Sequence, residues 1–251
     1  MNDIDNSLFP EELTAEVLKS FVRTQNGSTR PHHGWIDGVH YIAKCARYSE
    51  GITATSDEHV HNEYLADRFL REAGLNVPES REYQVDFRDG KGPRVVRLAR
   101  FLEDAKSLAE VISRMGAHIE GWLRDQVLQT YPIQLFVWGI DTFQNDNVLV
   151  DSDGRLWFVD NGASFDFRAR GTRKFPSWFS RTDPEDPGYG YLSMLKHPSQ
   201  DQLQALLSEA MVLDGARGFD FVSLATKLPE DLKKPSVIKF AQALNEWASA
   251  W

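Results

Sequence analysis

The chain has 251 residues, 41% of them hydrophobic and 26% charged, with a formal net charge of −9 and one cysteine. That length makes one large domain or two lobes and buries a core without covalent staples, while a single cysteine excludes a disulfide framework and a cysteine-built zinc site. The acidic balance argues against a general role on DNA or anionic membranes, no run nears the ~20 apolar residues that span a bilayer, and the start MNDIDNSLFPEELTAEV lacks the regions of a signal peptide, so a cytoplasmic location is expected.

In chain order, Pro10 to Val22 predicts a short helix with Val17, Leu18 and Phe21 on one face. A polar break, TQNGSTRPHHG, runs from Thr24 to Gly34. The β-branched and aromatic run VHYIAKC, Val39 to Cys45, predicts a strand. Asp57 to Gly74 predicts a helix: Leu65, Phe69 and Ala73 recur at i, i+4, i+8, and Gly74 stands at the expected stop. REYQVDF and RVVRLARFL predict two strands around the turn Arg88–Gly92. After Asp104 the pattern turns helical, over Leu108–Met115 and then Ile119–Trp138, interrupted at Pro132. NVLVDSDGRLWFVDNG predicts a hairpin, Ala163–Tyr191 an irregular stretch, and Ser199–Trp251 about three helices. Strands with one helix precede a mostly helical part. The expected layout is therefore α+β and bilobal, with a small β-rich lobe over 1–103 and a helical lobe over 104–251, joined near Phe101–Asp104.

The hairpin carries the first chemical signal. Its turn falls near Asp153, midway between Asn147 and Asp160, so the fold should bring these two side by side at the open end. Asp141 lies just upstream, after an apolar helix. Two carboxylates and an amide make a hard-cation site suited to Mg²⁺, which takes one or two carboxylates plus substrate phosphates. The plainer reading is a polar loop capping a hairpin, since Asp and Asn are common turn residues. An EF-hand is excluded, because Gly154 as the loop glycine would put Leu149 at the first ligand position. Lys44 follows Tyr41-Ile42-Ala43 in an apolar strand, a poor place for an ammonium without a partner, and Glu63 near the start of the next helix can supply one. A strand Lys paired with a helix Glu orients the α- and β-phosphates of ATP in kinases. The plainer reading is an edge-strand Lys with its head in water.

The order of these residues, carried by NGSTRPHHGWIDGVHYIAKC, NEYLADRFLREAGLNVPES, LARFLED and WGIDTFQNDNVLVDSDGRLWFVDNGASF, resembles the HipA-type serine/threonine kinases. These belong to the broad protein-kinase-like fold that also includes phosphoinositide kinases. The four segments lie between Asn26 and Phe165, a span of about half of the chain. The resemblance implies that the loop Gly27-Ser28-Thr29-Arg30 covers the phosphates and that Lys44 and Glu63 form the ion pair. It implies that the backbone at Phe101 and Leu102 holds adenine, Asp141 is the catalytic Asp, Asn147 the metal-binding Asn and Asp160 the metal Asp. The cofactors it implies are ATP and Mg²⁺. The acceptor it implies is a protein Ser or Thr, with autophosphorylation at Ser28 or Thr29, and a toxin role beside an antitoxin or a separate N-terminal partner subunit. Two departures stand out. Five residues separate Asp141 from Asn147 where the family has four, which makes Asn145 and Asp146 rival metal ligands, and Thr142 stands where related sequences often have Arg.

Other features carry less. Arg168, Arg170, Arg173, Lys174 and Arg181 form a basic run that suits either an acidic substrate or a solvated segment. His59 and His61 stand at i, i+2 and do not share a helix face, so His32, His33, His59 and His61 are not read as a metal set. Cys45 is expected in the core, opposite Lys44, and Leu244, Trp247 and Trp251 in terminal-helix packing. The alternative functions are a small-molecule or lipid kinase, a non-catalytic nucleotide-binding module, and transfer of the AMP part of ATP.

Overall fold

The structure is a computed structural model and describes residues 8–24, 31–45, 56–115, 121–137, 139, 142–143, 146–167, 195 and 201–250. Five strands form the first sheet: β1 (Val22–Arg23), β2 (His32–Ile36), β3 (Val39–Cys45), β4 (Ser80–Asp86) and β5 (Pro93–Arg100). They are antiparallel throughout, in the order β1-β2-β3-β5-β4. Helix α1 (Ala15–Lys19) precedes it in sequence after Thr14, whose side chain accepts from the Val17 N–H. Phe21, expected in that helix, lies beyond its end, and Val22 opens β1. The expected polar break is shorter than its composition suggested: its end, His32 to Gly34, pairs with β3 as a strand.

Side chains alternate across this sheet. Tyr41, Ala43 and Cys45 of β3 point to one face, where they join Tyr83, Val85, Val96 and Leu98 under Phe9, Leu13, Leu18 and Phe21. Gly34 is part of this packing, since a Cβ there would lie 2.4 Å from Phe21 Cδ1. Gly34→Ala is therefore expected to lower stability by roughly 1–3 kcal/mol, the usual effect of overpacking. Thermal melts of the two proteins check this, and an unchanged midpoint would mean that Phe21 yields freely.

The even-numbered residues of β3 face the other way, toward α2 (Asp57–Glu72). Ser56 caps α2 by accepting from the His59 N–H, and Asp57 and Glu58 place negative charge at its positive end. Gly74, at φ 97°, follows its last turn as expected. Ala66, Phe69 and Leu70 on α2 also belong to a second, larger core that continues through the helical part of the chain. One helix thus touches both the sheet and the helical core.

That second core gathers α3 (Leu108–Met115), α4 (Gly121–Phe136), α5 (Asp201–Leu206), α6 (Glu209–Arg217), α7 (Phe221–Thr226) and α8 (Pro235–Ser249). The final segment thus holds four helices rather than about three. Pro132 does not interrupt α4 as the sequence suggested; the helix runs through it, with Tyr131, Pro132, Ile133 and Gln134 all buried. Packing on all sides compensates the hydrogen bond a proline removes. Leu244 is fully buried and Trp247 packs against the same core, while Trp251 lies outside the described residues. A small sheet, β6 (Lys106–Ser107), β7 (Val148–Val150) and β8 (Leu156–Phe158), lies within the helical part, and Asn76 after α2 bonds its last strand at Leu156 and Phe158. The fold is α+β, a β-rich part followed by a helical part, as expected.

Candidate active site

The β7–β8 hairpin forms, with a register one residue shorter than the sequence reading. Val148 pairs Phe158, and Val159 N–H donates to the Asn147 carbonyl at 2.9 Å, so Asn147 faces Val159 and Asp160 is the next residue on. The turn decides this. Asp151 accepts from the backbone N–H of Asp153 and Arg155 and from Trp157 Nε1, which centres the reversal on Asp153. Beyond the hairpin, Asp160 takes left-handed backbone and a 3₁₀ turn, Asn161–Ala163, follows.

Three elements converge on Lys44. Its Nζ donates to Glu63 Oε1 at 2.7 Å and to Asp160 Oδ1 at 2.6 Å. The register explains the first bond: Lys44 and Arg97 are cross-strand partners on the sheet face that α2 covers. Glu63 on that helix takes Lys44 and, at 3.2 Å, the Arg97 guanidinium. Burial works against the charge on Lys44, but Asp160 and Glu63 outweigh it and hold the ammonium above its ordinary pKa. Burial likewise pushes the Asp160 carboxyl up, and Lys44 outweighs it and holds Asp160 below the usual carboxylate range. Lys44 and Glu63 are closed off from solvent, whereas the Asp160 side chain is 33% exposed. Its second oxygen, Oδ2, has no hydrogen-bond donor among the described residues.

The formal charges of Lys44, Arg97, Glu63, Asp67 and Asp160 sum to −1. The open oxygen of Asp160 therefore fits a hard cation, and the Lys44 ammonium beside it fits a phosphate. Asn147 is partly exposed at the same hairpin end. Asp146 is exposed in the preceding turn. Thr142 is buried and donates to Gln134 Oε1 at 3.0 Å, which ties the start of this turn to α4.

Phe101 and Leu102 leave β5 at the junction between the two parts of the chain. The Phe101 N–H donates to the His40 carbonyl at 3.0 Å, which ties this junction to β3. The Phe101 ring stacks on His40 at 4.2 Å, and His40 stacks on the exposed Trp35 at 4.6 Å. His40 also bonds His33 and Glu103 through its two ring nitrogens. By alternation His40 shares the face of Lys44, so these rings lie along the same side of the sheet. His61 Nδ1 hydrogen-bonds Glu82 Oε2 at 2.7 Å. Asp141, Asn145, Gly27, Ser28, Thr29, Arg30 and the basic run Arg168 to Arg181 lie outside the described residues.

The sequence reading missed the residues behind Lys44. Arg97 donates from Nε to Asp67 Oδ2 at 2.6 Å, and Ser80 Oγ donates to the same oxygen at 2.8 Å. A usable signal existed: Asp67 stands one turn after Glu63 on the apolar stripe of α2, and a carboxylate there requires a buried cation. Arg97 interrupts RVVRLAR in the same way.

His59, one turn before Glu63, faces the Asp160 segment. Its Nε2 donates to the Gly162 carbonyl at 3.0 Å, and its Nδ1 has no hydrogen-bond partner among the described residues. A Cβ on Gly162 would come within 2.8 Å of that Nε2, so only glycine allows this approach. Burial, reinforced by Lys44, lowers the His59 pKa. Between the lowered value and the unfolded value of about 6.5, the unfolded chain binds more protons. The stability that neutral His59 confers is thus full above about pH 6.5 and falls away as pH drops toward the folded value. Melting midpoints from pH 7.5 to 5 should fall more for the wild type than for His59→Gln, which keeps a donor for Gly162. Parallel curves would show that His59 does not titrate in this range.

No protein-family model matches the sequence, and no curated protein matches it. Several solved structures are similar over most of their length. The crystal structure of a Helicobacter pylori proinflammatory kinase, CtkA, is 12% identical with a TM-score of 0.48, over 91% of this chain and 92% of that one. WaaP, in complex with acyl carrier protein, is 16% identical with a TM-score of 0.41, over 80% and 88%. The pseudokinase DRIK1, bound to ENMD-2076, is 13% identical with a TM-score of 0.42, over 96% and 98%. By name the first is a kinase and the third a pseudokinase, and at these values the likeness carries no argument about this chain.

Proposed function

We propose that the protein is an ATP- and Mg²⁺-dependent kinase that transfers the γ-phosphate to a Ser or Thr hydroxyl of a protein. The observation that carries this reading is Lys44, held at once by Glu63 of a helix and Asp160 after a hairpin. That is the arrangement that orients nucleotide phosphates in kinases. In this reading Lys44 meets the phosphates and Glu63 fixes its position. Asp160 and Asn147 hold Mg²⁺, which when bound neutralises phosphate charge. The backbone at Leu102 and Phe101 borders adenine, Gly27 and Ser28 lie in the phosphate loop, and Asp141 orients the acceptor hydroxyl and takes its proton. The lobes are 1–103 and 104–251. The Ser/Thr acceptor, a toxin role and autophosphorylation at Ser28 or Thr29 rest on the HipA-type resemblance of the sequence. The test is incubation with γ-labelled and α-labelled ATP, Mg²⁺ and a cell lysate. Label transferred from γ alone is expected, and label from α would replace the kinase with a nucleotidyl transferase. The longer Asp141–Asn147 spacing favours, as a second reading, a non-catalytic nucleotide-binding module, which would transfer neither label while still binding ATP.

A further inference from the structure

The segment that carries Asp160 is fixed to α2 by side chains that neither the phosphate nor the metal role uses. Asp160 has φ 55° and ψ 49°, left-handed backbone that an L residue adopts only at a cost, so something must hold it there. The next residue supplies the hold. Asn161 Nδ2 donates to Asp67 Oδ1 at 3.0 Å and to the Phe158 carbonyl at 3.3 Å. The other oxygen of Asp67 takes Ser80 and Arg97. Asn161, Asp67, Ser80 and Arg97 are all buried. One residue further, the Gly162 carbonyl accepts from His59 Nε2 and from Asn62 Nδ2, which also reaches the Ser164 carbonyl. Positions 59, 62, 63 and 67 lie at i, i+3, i+4 and i+8, a single face of α2.

We infer that Asn161 and Asp67 form a polar latch that sets Asp160 against Lys44, so that the helix carrying Glu63 and the segment carrying Asp160 move as one body. The inference rests on the reading of Lys44 and Asp160 as a phosphate and metal site. Asn161 and Asp67 are positioning residues and act through Asp160. The physical reason is directionality. An apolar side chain at 161 could slide within a pocket, whereas an amide aimed at a buried carboxylate has one good geometry, and departure from it strands both groups. Arg97 bonds both Asp67 and Glu63, which links the latch to the partner of Lys44.

The bond has a polarity that exchange can test. Asn161→Asp sets carboxylate against carboxylate. Asp67→Asn sets NH₂ against NH₂. The double exchange restores a donor facing an acceptor and still offers an oxygen to Arg97. Hydrogen-exchange mass spectrometry would follow the peptide over 159–165, whose Val159, Ser164 and Phe165 amides are hydrogen-bonded, with α8 as control for global opening. Each single variant should raise exchange over 159–165 by at least ~10-fold, the equivalent of one charge-assisted bond, without a matching rise in α8. The double exchange should bring the rate below that of either single variant, short of the wild type because an aspartate at 161 cannot donate to the Phe158 carbonyl. If Asp67→Asn fails to fold, Asn161→Leu, which leaves Asp67 with Arg97 and Ser80, must meet the same criterion. Unchanged exchange over 159–165, a matching rise everywhere, or a double variant that adds the two losses overturns the latch. Binding of Mn²⁺·ADP, read by electron paramagnetic resonance, should weaken in the single variants and recover in part in the double. A wild type that binds no Mn²⁺·ADP would sink the phosphate and metal reading, while the exchange pattern would still decide the latch.

Discussion

Asp160→Asn is expected to remove Mg²⁺-dependent ATP turnover, by ~10²-fold or more, while the protein stays folded. The magnitude is that of losing one charged group aimed at transition-state charge. The substitution keeps the shape and deletes the charge. Lys44 retains Glu63 at 2.7 Å, so no buried ammonium is stranded. The lost pair with Lys44 is partly solvent-screened, because the Asp160 side chain is 33% exposed, and its loss should cost little stability. With its pKa held below the usual range, Asp160 is an anion throughout neutral pH. Turnover and melting measured side by side give the answer, and full turnover in a folded Asp160→Asn protein would remove Asp160 from the site.

The largest effect on stability is expected at Arg97. Its side chain is 4% exposed and it neutralises Asp67, fully buried, and Glu63, 2% exposed. Arg97→Met leaves Asp67 with Ser80 and Asn161 as neutral donors and Glu63 with Lys44 alone. Removing one partner of a buried ion pair typically costs about 3–5 kcal/mol, because the other charge is left uncompensated. For a chain of this size that lowers the melting temperature by roughly 6–20 °C. Lys19→Met makes the contrast, since Lys19 and Glu16 pair at 2.8 Å in full view of solvent, where screening leaves such a pair almost no effect on stability. Similar melting shifts for the two variants would show that the cluster behind Lys44 is not electrostatically coupled.

The sequence indicated Lys44 and Glu63 because each breaks an apolar pattern: an ammonium in VHYIAKC and a carboxylate on the buried stripe of a helix need each other. It indicated the hairpin through its two apolar runs and its Asp-Ser-Asp-Gly turn. It did not indicate the register, because a turn closed by the Asp151 side chain shifts the reversal by a fraction of a residue, and composition does not report that. Pro132 reads as a break on local propensity alone, which does not register the burial of α4 on every side over Tyr131–Phe136. The four-residue carboxylate–cation network at Asp67, Arg97, Ser80 and Asn161 comes from elements separated by 13 to 94 positions, so spacing along the chain could not assemble it. The strands β1 and β6 span two residues each and exist only through their neighbours.

The central claim is that Lys44, Glu63 and Asp160 form a nucleotide phosphate and metal site. Calorimetric titration of ATP into the wild type and Asp160→Asn, each with and without Mg²⁺, tests it most directly. The account predicts that Mg²⁺ strengthens ATP binding to the wild type and that Asp160→Asn loses this enhancement while keeping its metal-free binding. Absence of ATP binding to the wild type, or an equal Mg²⁺ enhancement in both proteins, would contradict it.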